Sequence, residues 1–181
     1  MRAVDSAARS LVTEAEYLAL PESTQRMELV DGEVIVAPSP SFWHQEILGR
    51  IVAALRAWAS QQATPPTVVQ APLDVRFAAG RILQPDAMVF LTPLGREIAT
   101  PLDVVPELCV EVLSAQRAYD RVTKRYLYSE AGVVEYWIVD PAGSVERRFG
   151  EALAKSEDLA QSLCSPLLPG FELDLPGLFE E

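Results

Sequence analysis

The chain has 181 residues, 49% of them apolar and 23% charged, which suits one globular domain with a buried core. Its formal net charge of −11 argues against broad, non-specific nucleic-acid binding, which rests on neutralising phosphates with Lys and Arg. Two cysteines are too few for a disulfide scaffold or a zinc cluster, and no apolar run approaches the ~20 residues of a membrane span, so a cytoplasmic protein with no membrane segment is expected.

Residues 1–12 carry no period and read as a mobile lead-in to a single domain within 1–181. Thr13-Glu14-Ala15-Glu16 is a capping box, so a short helix should run to about Leu20, before Pro21. Residues 27–30 and 33–37 flank Asp31-Gly32, the pair a type I′ turn demands, and predict a hairpin ended by Pro38-Ser39-Pro40. Ser41 can cap a long helix in which Ile47, Leu48, Ile51, Val52, Leu55 and Trp58 keep three-to-four spacing, and this helix should lie across the sheet. His44, the only histidine, falls in its first turn and reads either as a partly exposed capping residue or as a site residue. After Pro65-Pro66 come two short strands, 67–70 and 73–77. Ala79-Gly80 then turns into an apolar run, 82–90, read as one strand that carries Asp86. Residues 92–106 are Pro-rich and aperiodic, a loop that could move over a site.

Residues 108–113 read as a buried strand interrupted by one carboxylate, Glu111. Beyond Ser114 the pattern turns helical, with Ala118, Val122, Tyr126 and Ala131 along one side and Arg117, Arg121 and Arg125 along another. Asp120 and Lys124, four apart, share a face, and Gly132 should end the helix. With the strand 135–139 this makes a β-α-β unit, for which parallel pairing is the default. A turn at Asp140-Pro141-Ala142-Gly143 leads into 144–149, an edge strand is expected near 159–164, and the apolar tail 168–173 should dock on the body. Cys109 and Cys164 are both expected to be packing residues.

Burying an ionised carboxylate without a partner costs several kcal/mol, so Glu111 and Asp86 each need a cation, a donor or a metal. Glu28, in Met27-Glu28-Leu29, is a third acid in apolar surroundings, and Lys124 is one of two lysines against thirteen arginines. Two carboxylates on adjacent strand ends match what Mg²⁺ takes from a protein, with the Val112 backbone carbonyl as a further ligand. Such an ion polarises a phosphoryl oxygen and activates water, while a lysine positions or deprotonates that water or neutralises charge. A glycosidase fits less well, because of the lysine and the lack of aromatic sugar platforms. A purely structural role for Asp86 and Glu111, capping strand ends or pairing with arginines, stays open.

The strings Glu28-Leu29-Val30-Asp31-Gly32-Glu33, Pro38-Ser39-Pro40 with His44, Gln84-Pro85-Asp86, residues 106–114, Asp120 with Lys124, and residues 131–141 resemble, in order, the Uma-two family of restriction-endonuclease-like proteins in the PD-(D/E)XK nuclease superfamily. The likeness runs from about Val12 to the 171–179 tail. It implies an α/β fold, a restriction-endonuclease-like core with a mixed central β-sheet flanked by helices, and a Mg²⁺- or Mn²⁺-dependent endonuclease that hydrolyses DNA phosphodiester bonds. By position Asp86 is similar to the PD aspartate and Glu111 to the motif's second acid. The motif's lysine should fall at Leu113; Lys124 on the following helix is its replacement, and Glu28 and His44 match recurrent family residues. The resemblance also implies DNA as partner and a homodimer, for which Trp58, Trp137 and the tail could supply a surface. The alternative is a catalytically inactive relative that kept the fold as a binding or assembly module.

Overall fold

The computed structural model describes residues 11–21, 23, 25–114 and 117–180, so the expected lead-in, save Leu11 and Val12, lies outside the described residues. Those two are anchored. The Val12 N–H donates to the Gly32 carbonyl at 2.8 Å, and a Cβ on Gly32 would stand 2.7 Å from that of Leu11. Gly32 also takes φ +89° after Asp31 at +49°, as a type I′ turn requires. The capping box forms as read: Thr13 Oγ1 accepts from the Glu16 N–H and Glu16 accepts from the Thr13 N–H at 2.8 Å, starting α1 (Glu14–Leu18).

Twelve strands make three sheets among the described residues. β1 (Met27–Val30), β2 (Glu33–Val36), β4 (Val75–Ala78) and β5 (Arg81–Leu83) form an antiparallel sheet in the order β2-β1-β5-β4. The larger sheet has the order β10-β9-β8-β7-β6-β3, built from β3 (Thr67–Gln70), β6 (Ala87–Phe90), β7 (Leu108–Val112), β8 (Glu135–Asp140), β9 (Ser144–Phe149) and β10 (Lys155–Leu159). It is mixed: β7 and β8 pair in parallel and every other pair is antiparallel. β11 (Ser162–Cys164) and β12 (Glu172–Asp174) form a small ribbon before α4 (Leu175–Leu178).

Helices cover both faces of the larger sheet. α2 (Phe42–Ala59) lays Ile47, Leu48, Ile51, Val52, Leu55 and Trp58 on Val89, Leu108, Val110, Val112 and Trp137. Cys109, Tyr136 and Ile138, alternate residues of the same strands, face the opposite way onto Leu127 and Tyr128 of α3 (Arg125–Ala131). Glu111 shares that second face by period two. Gly132, in the left-handed conformation at φ +89°, ends α3 as expected.

Several expectations are corrected. The run 82–90 is two strands in two sheets, because Pro85 has no N–H to donate and breaks the ladder. Asp86 therefore sits at the crossing between sheets, one residue before β6. The fourth strand begins at Val75 instead of residue 73. The loop 92–106 does not cover the site: Leu102 is buried, bridges to Val75 and packs under α3. A six-residue π-helical turn, Tyr119–Lys124, precedes α3 and rephases the helix, so Val122 and Tyr126 face outward, 62% and 53% exposed. Residues 115 and 116, the expected helix start, lie outside the described residues. The edge strand expected at 159–164 is instead β10 and β11.

The tail docks as read, with Leu168 and Phe171 buried. Trp137 stacks on Phe171 at 5.5 Å, and the Trp58 indole N–H donates to the Pro169 carbonyl at 3.0 Å. Both tryptophans are thus core residues and offer no dimer surface. Cys109 is buried but Cys164 is exposed, as its strand's alternation turns Leu163 inward. No helix among the described residues is long and apolar enough to cross a membrane.

Candidate active site

Where the two sheets meet, five elements converge on one small cavity. β1 contributes Glu28 and the crossing after β5 contributes Asp86, while Glu111 of β7 lies behind the lining, against Lys124. The π-helical turn adds Asp120 and Lys124, and the first turn of α2 adds His44. Every one of these six is at most 6% exposed. The structure thus brings together all the residues singled out from sequence. His44 is buried rather than partly exposed, since its backbone N–H takes the Ser41 cap at 3.1 Å while its ring turns inward.

Asp86 is fixed from three sides. Its Oδ1 accepts from Arg26 Nη1 at 2.6 Å, and its Oδ2 accepts from the Val112 N–H at 2.9 Å. His44 Nε2 stands 3.4 Å from the same Oδ2. Burial alone would push this carboxyl up, but the imidazole, the Arg26 guanidinium and the Lys124 ammonium together hold it well below the usual carboxylate range.

Glu111 is different. Its Oε1 accepts from Lys124 Nζ at 2.8 Å and from the Tyr128 hydroxyl at 2.6 Å. Complete burial nonetheless outweighs the ammonium, and with Asp86, Asp120 and Glu28 close by its pKa is pushed up to about 8. Lys124 Nζ also lies 3.1 Å from Glu28 Oε1 and 4.0 Å from Asp120 Oδ1. Desolvation would lower its pKa, but these acids raise it, so it stays an ammonium. Glu28 in turn accepts from the Gln84 N–H at 2.9 Å and from the Tyr119 hydroxyl at 3.1 Å.

Arg26, Tyr119 and Tyr128 were not singled out from sequence. Tyr128 follows Lys124 by the same four residues that separate Lys124 from Asp120, and that spacing could have found it. Arg26 had no such signal. It precedes β1, pairs with an acid 60 positions away, and is placed only by the fold.

Four carboxyl groups thus meet two permanent cations in a buried cluster. Asp86 and Glu111 carry hard oxygen donors of the kind a divalent cation takes, and Asp86 and Val112 border the same cavity. The cavity encloses about 40 Å³, more than the ~10–15 Å³ that one water takes. Among the described residues no three His, Cys, Asp or Glu side chains form a ready-made ligand cluster, because Lys124 and Arg26 stand between the acids.

A solved structure similar to this chain comes from Anabaena variabilis ATCC 29413, described as a "putative nuclease belonging to DUF820". The two share 24% identity, and the match covers 93% of this chain and 97% of that one with a TM-score of 0.78. The likeness shows the fold: an α/β, restriction-endonuclease-like core with a mixed sheet flanked by helices, as the sequence resemblance implies. No curated protein matches the chain. A family model described as "Putative restriction endonuclease" matches residues 14–176, which include every residue of the cluster, and the chain belongs to that family, Uma2.

Proposed function

We propose that this chain is a metal-dependent nuclease that hydrolyses DNA phosphodiester bonds at the Asp86–Glu111–Lys124 cluster. The observation that carries the reading is the buried excess of carboxylate around Lys124, which a divalent cation would offset. Asp86, Glu111 and the Val112 carbonyl would hold Mg²⁺ or Mn²⁺; such an ion supplies charge at the phosphoryl oxygens and a more acidic water. Lys124, kept protonated by its acids, donates hydrogen bonds to the attacking water or to a non-bridging oxygen and does not serve as the base. Glu28 and Tyr119 hold it in place from β1 and the π-helical turn. DNA as the polymer, a single domain and a homodimer are parts of the same proposal.

The test is calorimetric titration of Mg²⁺ and Mn²⁺ into wild type, Asp86→Ala and Glu111→Ala, followed by cleavage assays on DNA. Binding by wild type that both variants lose, with cleavage that needs the ion, is the expected result. A second reading, a relative with a retired site, is favoured by Lys124 and Arg26 already occupying acid oxygens. It predicts no ion binding by wild type, even with oligonucleotide present.

A further inference from the structure

The cavity has a second wall of opposite character. α2 begins at it, capped by Ser41, and places His44 in the cavity at 5% exposure. The only partner of the His44 ring among the described residues is Asp86, 3.4 Å from Nε2, and Nδ1 makes no hydrogen bond. Arg26 beside it gives Nη1 to Asp86 and Nη2 to the Gln84 carbonyl, which leaves its buried Nε without an acceptor. Buried donors without acceptors are costly, and native proteins leave few of them. Glu28 and Glu111, by contrast, are already matched by Lys124, Tyr119, Tyr128 and a backbone N–H. What Arg26 Nε can still bind is an acceptor, and the positive dipole end of α2, which begins at this wall, favours a charged one.

The surroundings suit a chain passing through. Two further clefts, of about 280 and 310 Å³, adjoin the cavity, and Arg26 and Pro40 border both. Neutral polar groups line them, Gln25 and Ser39 in one, Ser23, Gln45 and Gln84 in the other. A phosphate held at Arg26 would leave room on each side for the sugars it joins.

We propose that Arg26, His44 and the first turn of α2 form the seat for the substrate's phosphate group, beside Asp86. The proposal rests on the nuclease reading and adds to it the residues that position the diester. Arg26 then supplies, at this one place, a positive charge that a protein of net charge −11 lacks overall.

Dimethyl phosphate is the probe, a phosphodiester anion without base or sugar, its binding followed by ³¹P NMR in the presence of Mg²⁺. Mg²⁺ affinity is measured separately by calorimetry on the same proteins. The variants are His44→Gln and Arg26→Lys, the second keeping a cation on Asp86 while removing the guanidinium fork. Each should weaken dimethyl phosphate about tenfold or more, as loss of a charge-assisted hydrogen bond does, with Mg²⁺ affinity and melting temperature retained. Unchanged phosphate affinity overturns the seat. So does parallel loss of phosphate and Mg²⁺, which would mean that Arg26 and His44 only orient Asp86. Wild type that binds Mg²⁺ but not the diester overturns the seat and leaves the metal site standing. Wild type that binds neither removes the nuclease reading and the seat with it.

Discussion

Lys124 lies 4% exposed between Glu111 and Glu28, so its ammonium is taken wholly out of water and held by ion pairs. Removing one partner of a buried pair leaves the other charge uncompensated, at about 3–5 kcal/mol. Lys124→Met should therefore lower unfolding stability by about that amount in urea titrations; a loss under about 1 kcal/mol, the range of surface pairs, would mean the cluster is hydrated. Glu111 allows a sharper test. Its pKa in the folded protein, about 8, exceeds the ordinary 4.5, so the folded state keeps a proton that the unfolded chain releases. That contribution is complete below pH 4.5 and declines as pH rises through about 8. In chelator, wild type should lose melting temperature relative to Glu111→Gln across this window, each kcal/mol being worth roughly 2–4 °C at this size. Parallel pH profiles would show Glu111 ionised throughout, held so by Lys124.

At the scale of elements, the π-helical turn sets the site. Its wider winding carries Tyr119, Asp120 and Lys124 to the side that faces Glu28 and Glu111, then hands over to α3 with Leu127 and Tyr128 on the core. Deleting the exposed Val122 should restore an α-helical phase and shift Tyr119 and Asp120 by one residue against Glu28 and Lys124. The expected result is weakened metal binding in a folded protein, while Val122→Ala stays within about 0.5 kcal/mol of wild type, as exposed positions do. Equal metal affinity in the deletion would show that the extra residue is incidental. The same turn marks where the sequence stops being legible. Caps, the Asp31-Gly32 turn and the apolar comb of α2 are local signals, and the structure follows them. The phase of the helix after Ser114 is not local: four-residue spacing fits both Ala118, Val122, Tyr126 and Asp120, Lys124, Tyr128, and only the buried carboxylates of other strands choose the second. Likewise 82–90 is apolar enough for one strand. The missing N–H of Pro85 and the capture of the Gln84 backbone by Glu28 and Arg26 divide it between two sheets.

Over the whole molecule, most arginines in the second half of the chain are paired with acids. Arg117 pairs with Asp140 at 2.5 Å, Arg121 with Glu146 at 2.6 Å, Arg147 with Glu157 at 2.7 Å, and Arg148 with Glu146. With a net charge of −11 the surface does not supply the many phosphate contacts of a duplex-binding protein, so under the proposed nuclease function affinity for DNA would come from the site and a bound ion. That has a measurable form. Each duplex phosphate neutralised adds about −0.9 to the slope of log K against log salt, and a protein making 6–10 such contacts shows a correspondingly steep slope. Two or three contacts near Arg26 predict a slope of only about −2 to −3. Fluorescence anisotropy of a labelled oligonucleotide, titrated at several KCl concentrations with Ca²⁺ and again with EDTA, reads both quantities. Shallow salt dependence with the ion, and binding lost to EDTA, would place recognition in the acidic cluster. A steep slope that persists in EDTA would mean that the paired arginines release their acids to meet DNA, and that charge is organised for the substrate at the surface rather than in the cavity.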